Sequence, residues 1–252
     1  MYDLQLTPEQ LEMRDTVRDF VNQEIKPAAL QPARLEPFEK PLLSDLLAQA
    51  AQMGLRTLTL PEEAGGAGAD CLTSCLVLEE LGCGDPDIAV ALAHTSYVGR
   101  LAYDLATAEQ RSLLLKSFVS DEQCHLGLAT RDAESELGWC YHRPLVEGGG
   151  PQATAVKQAN GDWLIDGAAG MVTNAPIAKF IVVQARTDPK KTGSNGITTF
   201  LVPRDAPGVR VGEQPRATGA SVRWQHGPVA PVTFRECRVP AGNVLGKEGQ
   251  IT

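Results

Sequence analysis

Apolar residues recur at helical spacing through the first half of the chain. After Thr7-Pro8-Glu9-Gln10, the residues Met13, Val17, Phe20, Val21 and Ile25 fall three or four apart and form one apolar face. Thr7 suits the N-cap, Pro8 the first helical position and Gln10 the return arm of a capping box. The spacing predicts a helix here that Lys26-Pro27 stops. A second helix is expected over Leu42–Met53 with Gly54 as its C-terminal signal, then a short extended piece, Leu55–Leu60, and a glycine loop, Pro61–Gly68. Further helices are expected over Leu72–Leu81, ended by Gly82 to Gly84, and over Asp87–Tyr103 behind Asp85-Pro86. A last one runs from Thr107, a second capping-box start, to about Phe118.

From Gln123 the period changes. Candidate strands are His125–Ala129, Gln152–Lys157, Trp163–Asp166, Lys179–Ala185, Ile197–Val202, Val209–Glu213 and Val232–Arg238. Asn160-Gly161 reads as a two-residue hairpin turn, and Leu137–Pro151 as an irregular loop. The predicted fold is α+β: an all-helical N-terminal domain, 1–120, followed by an antiparallel β-barrel or sandwich domain, 121–252.

Composition narrows the function. The net charge of −8 argues against a nucleic-acid binder, which shows a basic patch or stripe. Apolar runs such as Ile88–Ala93 are far short of the roughly 20 residues that cross a bilayer. Met1-Tyr2-Asp3-Leu4 lacks the basic start and apolar centre of a signal peptide, so a cytoplasmic protein is expected. Without a secretion signal the six cysteines are expected as free thiols. Cys71 and Cys75 are one helical turn apart, but no CxxC or HExxH accompanies them and the histidines are scattered. They are read as buried thiols, and no metal is expected.

Several short motifs, in order, resemble the acyl-CoA dehydrogenase family. Leu60–Gly68 is similar to that family's Leu-Pro-Glu-Glu glycine segment, and Leu78-Glu79-Glu80-Leu81 and Ala108–Arg111 to two of its helices. Gly161–Gly167, Val172-Thr173-Asn174-Ala175, Phe200–Pro203 with Pro207-Gly208-Val209, and Phe234–Gly246 resemble successive pieces of its middle domain. The resemblance implies FAD as cofactor and removal of hydrogen from the α and β carbons of an acyl-CoA thioester. It implies that the Thr173 hydroxyl bonds the reactive flavin nitrogen, and that Met171 and Val172 lie beside the ring. Leu128, Ala129 and Thr130 match the strand that contacts the flavin.

Where the family has Thr-Glu-Pro and Gly-Ser-Asp, this chain reads Thr130–Glu136 and then carries about ten extra residues. Ser135 is the candidate replacement for the substrate-binding serine. Met171 stands where the family has an aromatic residue, and Trp224–Val229 replaces another of its motifs. The family's C-terminal helical domain, which in most branches supplies the catalytic glutamate, is expected to follow Gly246–Gly249 and is not part of this sequence. No catalytic base is therefore assigned. Glu62, Glu63, Glu79 and Glu80 read as solvent-facing or capping carboxylates. The resemblance implies an acyl-CoA dehydrogenase-like partner subunit carrying the base, an acyl-CoA substrate and an electron-transfer flavoprotein as acceptor. The alternatives are a non-catalytic subunit of such a complex, a fragment of a full-length enzyme, or a flavin monooxygenase on the same fold.

Overall fold

A computed structural model describes residues 5–31, 42–130, 151–191, 195–213 and 227–250. The chain divides into two compact units. One reaches through Tyr97 and includes Gly227; the other begins at Val98 and resumes at Pro228.

In the first unit, α1 (Pro8–Phe20) starts on the expected capping box, with the Thr7 hydroxyl accepting from the Gln10 N–H and the Gln10 side chain accepting from the Thr7 N–H. Lys26-Pro27 does not stop it. A π turn, Val21–Ile25, intervenes, and α2 (Lys26–Ala29) continues the helix with Pro27 in its first turn. An α-helical proline clashes with the carbonyl four residues back, and the wider turn relieves that clash.

Next comes α3 (Ser44–Gln52). It ends as a Schellman motif, with Gly54 at φ +80°, the Gly54 N–H donating to the Ala51 carbonyl and the Leu55 N–H to that of Ala50. The expected extended piece Leu55–Leu60 is instead a series of turns that buries Leu55, Leu58 and Leu60. Its apolar residues seek the core without any strand to pair with. The glycine loop closes back on this segment: a Cβ on Gly66 would lie 2.1 Å from the Leu60 carbonyl oxygen.

Helix α4 (Cys71–Gly84) is capped by Asp70, whose carboxylate accepts from the Thr73 N–H. It runs beside α1 in the same direction. Gln10 bonds Thr73, Arg18 pairs with Glu80, and Gly84 sits against Val21 and Ile25. Gly82 to Gly84 thus end the helix from inside it, and Gly84 is required by the approach: a Cβ there would lie 2.8 Å from both the Val21 and Ile25 methyls. The expectation of buried thiols fails at Cys71 and Cys75, which are exposed, as is Cys83. The buried stripe of α4 is Val77 and Leu81, and the apolar character of the remaining face misled the reading.

Helix α5 (Pro86–Leu105) begins behind the buried Asp85, which accepts from the Asp87 and Ile88 N–H groups. The division between the units falls within it.

The second unit takes the end of α5, then α6 (Ala108–Gln110), a π turn (Arg111–Leu115) and α7 (Lys116–Ser120). Gly99 leaves room for the buried Phe118 ring, which a Cβ would meet at 2.7 Å. The rest is one eight-stranded sheet: β1 (His125–Ala129), β2 (Thr154–Lys157), β3 (Trp163–Thr173), β4 (Ala178–Arg186), β5 (Ile197–Pro203), β6 (Val209–Val211), β7 (Val229–Val239) and β8 (Val244–Leu245). The order is β6-β7-β3-β2-β4-β5-β8, with β1 beside β4.

The sheet is mostly antiparallel, as expected, but β1 and β2 both join β4 in parallel, β1 along Ala178–Val183 and β2 at Arg186. The Asn160-Gly161 turn is not the two-residue type. Asn160 keeps a negative φ, Gly161 alone takes +91°, and the Gln158 N–H meets the Asp162 carbonyl, as in a three-residue loop. β3 outruns its expected end at Asp166: Gly167, at φ +122°, stays in the strand with its backbone close to Ala153, and the register with β7 shifts there, where Arg235 and Glu236 stand opposite Asp166 alone. Trp163, Ile165, Val172, Ile181, Phe200 and Phe234 lie in the shared core, where the Trp163 and Phe200 rings meet edge to face at 5.4 Å.

Candidate functional site

The expected cofactor residues come from two neighbouring strands. β1 meets the end of β3 closely because Gly127 carries no side chain: a Cβ there would lie 3.3 Å from the Thr173 carbonyl oxygen and 3.4 Å from a Val172 methyl. Alternation then sorts the six residues. Ala129 and Val172 are buried in the sheet core. Leu128 on β1 and Thr130 just past its end, with Met171 and Thr173 on β3, are half-buried on the opposite side. The Thr173 hydroxyl has no hydrogen bond among the described residues. Ser135, and most of the Leu137–Pro151 loop, lie outside the described residues, as do Arg131–Glu136 and Trp224–His226.

The turn after Thr173 holds this edge in place. Asn174 is buried with φ +65°, a left-handed conformation that asparagine tolerates better than most side chains. Its N–H donates to the Pro228 carbonyl at 2.6 Å, its side-chain Nδ2 to the Leu126 carbonyl of β1 at 3.4 Å, and its own carbonyl accepts from Ile177 and Ala178. One residue therefore links the end of β3 to β1 and to the segment entering β7. Sequence reasoning used Asn174 only as a motif letter and passed over Gly127. A glycine inside a strand pattern signals close backbone approach, and an asparagine before Ala-Pro signals a left-handed turn.

The carboxylates excluded as bases are occupied or exposed. Glu80 pairs with Arg18, while Glu62, Glu63 and Glu79 face solvent. A cleft of about 490 Å³ lies elsewhere in the second unit, lined by Ser117, Asp121, Cys124, Lys179, Phe180 and Arg204, and includes none of the expected cofactor residues. Lys179 is ion-paired with Asp121 there, which raises its pKa.

With this geometry in place, comparison with known proteins identifies the lineage. The model of the acyl-CoA dehydrogenase N-terminal domain matches residues 7–122, and that of the middle domain matches residues 147–231. The chain belongs to the acyl-CoA dehydrogenase family. It is 32% identical to the probable acyl-CoA dehydrogenase YngJ of Bacillus subtilis over 248 residues, covering 97% of this chain and 60% of that protein. It is 27% identical to the mitochondrial isobutyryl-CoA dehydrogenase of Dictyostelium discoideum, covering 97% and 54%. The chain thus spans little more than half the length of these relatives. Butyryl-CoA dehydrogenase of Megasphaera elsdenii has the same fold, with a TM-score of 0.80 at 24% identity over 98% of this chain and 61% of that one. So does PigA, solved as an FAD complex, with a TM-score of 0.79 at 23% identity over 98% and 60%. Among the described residues no helix is long and apolar enough to cross a membrane.

Proposed function

We propose that this chain, with residues 1–120 and 121–252 as its domains, forms one wall of the flavin site of an FAD-dependent acyl-CoA dehydrogenase that desaturates an acyl-CoA thioester. The observation that carries the reading is the half-buried row Leu128, Thr130, Met171 and Thr173 on adjoining strands of a chain of this family. The residues fit the group: a hydroxyl without a hydrogen-bond partner among the described residues lies beside apolar surface, on a strand end fixed by Asn174. FAD, when bound, supplies the acceptor for the β hydride. The Thr173 hydroxyl would help hold the flavin by donating a hydrogen bond to it, a contact that would favour the charge gained on reduction. Met171 and Leu128 shield that edge from water, and the buried Val172 and Ala129 keep both strands rigid behind it. Thr130 offers a second hydroxyl.

The base that takes the α proton comes from an acyl-CoA dehydrogenase-like partner subunit, and electrons pass to an electron-transfer flavoprotein in the cytoplasm. Met171 favours a second reading, a structural subunit of such a complex, because a thioether stacks on a flavin less well than the aromatic residue of the family.

Co-expression with a full-length dehydrogenase of the same genome, followed by the flavin spectrum and acyl-CoA bleaching, tests the first reading. A yellow complex that acyl-CoA bleaches is expected, with Thr173→Ala slowing bleaching by about ten- to a hundredfold. A complex that forms but stays colourless, or whose activity ignores Thr173→Ala, favours the structural reading.

A further inference from the structure

The exposed thiols on α4 lie outside everything used above. Cys71 and Cys75 are four residues apart on this helix, one turn from each other on the same face, and both are exposed. Two such thiols can close into a disulfide or hold a third atom between them, and helix geometry decides which. Cβ atoms four residues apart lie about 5–6 Å apart on an α-helix, whereas a disulfide needs about 3.5–4.5 Å. Closing the bond would unwind the first turn, which Asp70 caps through the Thr73 N–H at 2.7 Å. An atom bound to both sulfurs at about 2.3 Å each spans up to about 4.6 Å between them, so the intact helix admits it.

A four-coordinate ion needs further ligands, and among the described residues no group of three or more His, Cys, Asp or Glu is placed to hold a metal. We propose that Cys71 and Cys75 form a dithiol site for a soft, low-coordinate thiophile, the class that includes Cu(I) and trivalent arsenic. Desolvation first, and then the neighbouring Cys71, raise the Cys75 pKa, so a Cu(I) ion must displace thiol protons and binds more tightly as pH rises.

Phenylarsine oxide is the probe. Two As–S bonds form, the arsenic-bound oxygen leaves as water with both thiol protons, and no oxidation state changes. The whole chain is expected to take one equivalent in intact-mass spectra. The adduct should resist excess monothiol, come off with excess small dithiol, and block alkylation of the peptides carrying Cys71 and Cys75. Cys71→Ser and Cys75→Ser should each abolish it, and Cys83→Ser should leave it. Cu(I) passed from a chromophoric chelator should follow the same pattern. An adduct that survives either of the first two substitutions, or depends on Cys83, overturns the proposal. So does a folded wild-type chain that takes no arsenic or leaves Cys71 and Cys75 open to alkylation, a measurement that needs no variant.

Discussion

His94 makes the first unit's stability depend on pH in a direction that can be worked out. It lies on α5, its Nε2 is buried without a hydrogen-bond partner among the described residues, and burial pushes its pKa down to about 4 from 6.5. Between those values the unfolded chain binds a proton that the folded chain refuses. The stability is therefore complete above about pH 6.5, declines as pH falls through the window, and stops changing below about pH 4. At 1.36 kcal/mol per pH unit the loss is about 3 kcal/mol, a sizeable part of the roughly 5–15 kcal/mol of a typical fold.

The perturbation that isolates it is His94→Leu, which removes the titration and the unpartnered nitrogen together. At neutral pH this variant should lie within about 1 kcal/mol of wild type, since an apolar replacement of an unsatisfied polar group is close to neutral. Urea unfolding followed by far-UV circular dichroism, at steps from about pH 7.5 to about pH 4, gives both curves. Wild type should lose about 3 kcal/mol more than the variant across the window. Parallel curves would refute the reasoning, whatever the other histidines contribute to both.

Further outcomes follow from local geometry. Gly66→Ala should destabilise by about 3 kcal/mol or more in the same assay, because its Cβ meets the Leu60 carbonyl, whereas Gly54→Ala, with open space around it, should cost only the roughly 1 kcal/mol of its positive φ. Gln110→Ala should cost about 2–3 kcal/mol, since its side chain closes the capping box and also donates to the Gly242 and Val244 carbonyls; Thr107→Ala, losing the cap alone, should cost about 1 kcal/mol. Phe200→Ala should cost about 3–5 kcal/mol and alter the near-UV dichroism of Trp163, on which its ring rests.

Local chemistry was legible wherever one residue type answers one local demand. Both Thr-x-x-Gln capping boxes form, Gly54 ends its helix in the left-handed conformation, and β1 runs over the residues its pattern marks. What misled the reading was partnership across the fold. Pro27 looks like a stop until a π turn absorbs it, and Gly84 like a terminator although it answers to Val21 and Ile25. The strand at Trp163 reads as ending at Asp166 because its continuation through Gly167 rests on pairing with β7, far along the chain. The cysteines of α4 read as buried because a helix apolar on most sides does not say which side meets the core.

The same division runs through the candidate site. Period two separates Val172 from Met171 and Thr173, and Ala129 from Leu128 and Thr130, so each strand's outward residues are readable from the chain alone. That the two strands adjoin is not readable that way. It depends on Gly127 admitting the Thr173 carbonyl and on the Asn174 side chain reaching the Leu126 carbonyl across 48 positions of sequence. This makes Asn174 a sharper probe of the site than any residue facing the ligand. Asn174→Gly keeps the left-handed turn but deletes the donor to Leu126, while Asn174→Ala deletes the donor and strains the turn as well. If the tie between strands positions Thr173, both variants should weaken flavin retention in the co-expressed complex, with Asn174→Ala also lowering stability by about 1–2 kcal/mol more than Asn174→Gly. Loss of stability in step with loss of flavin would mean that Asn174 serves the turn alone. Flavin loss in Asn174→Gly at wild-type stability would assign it to the site.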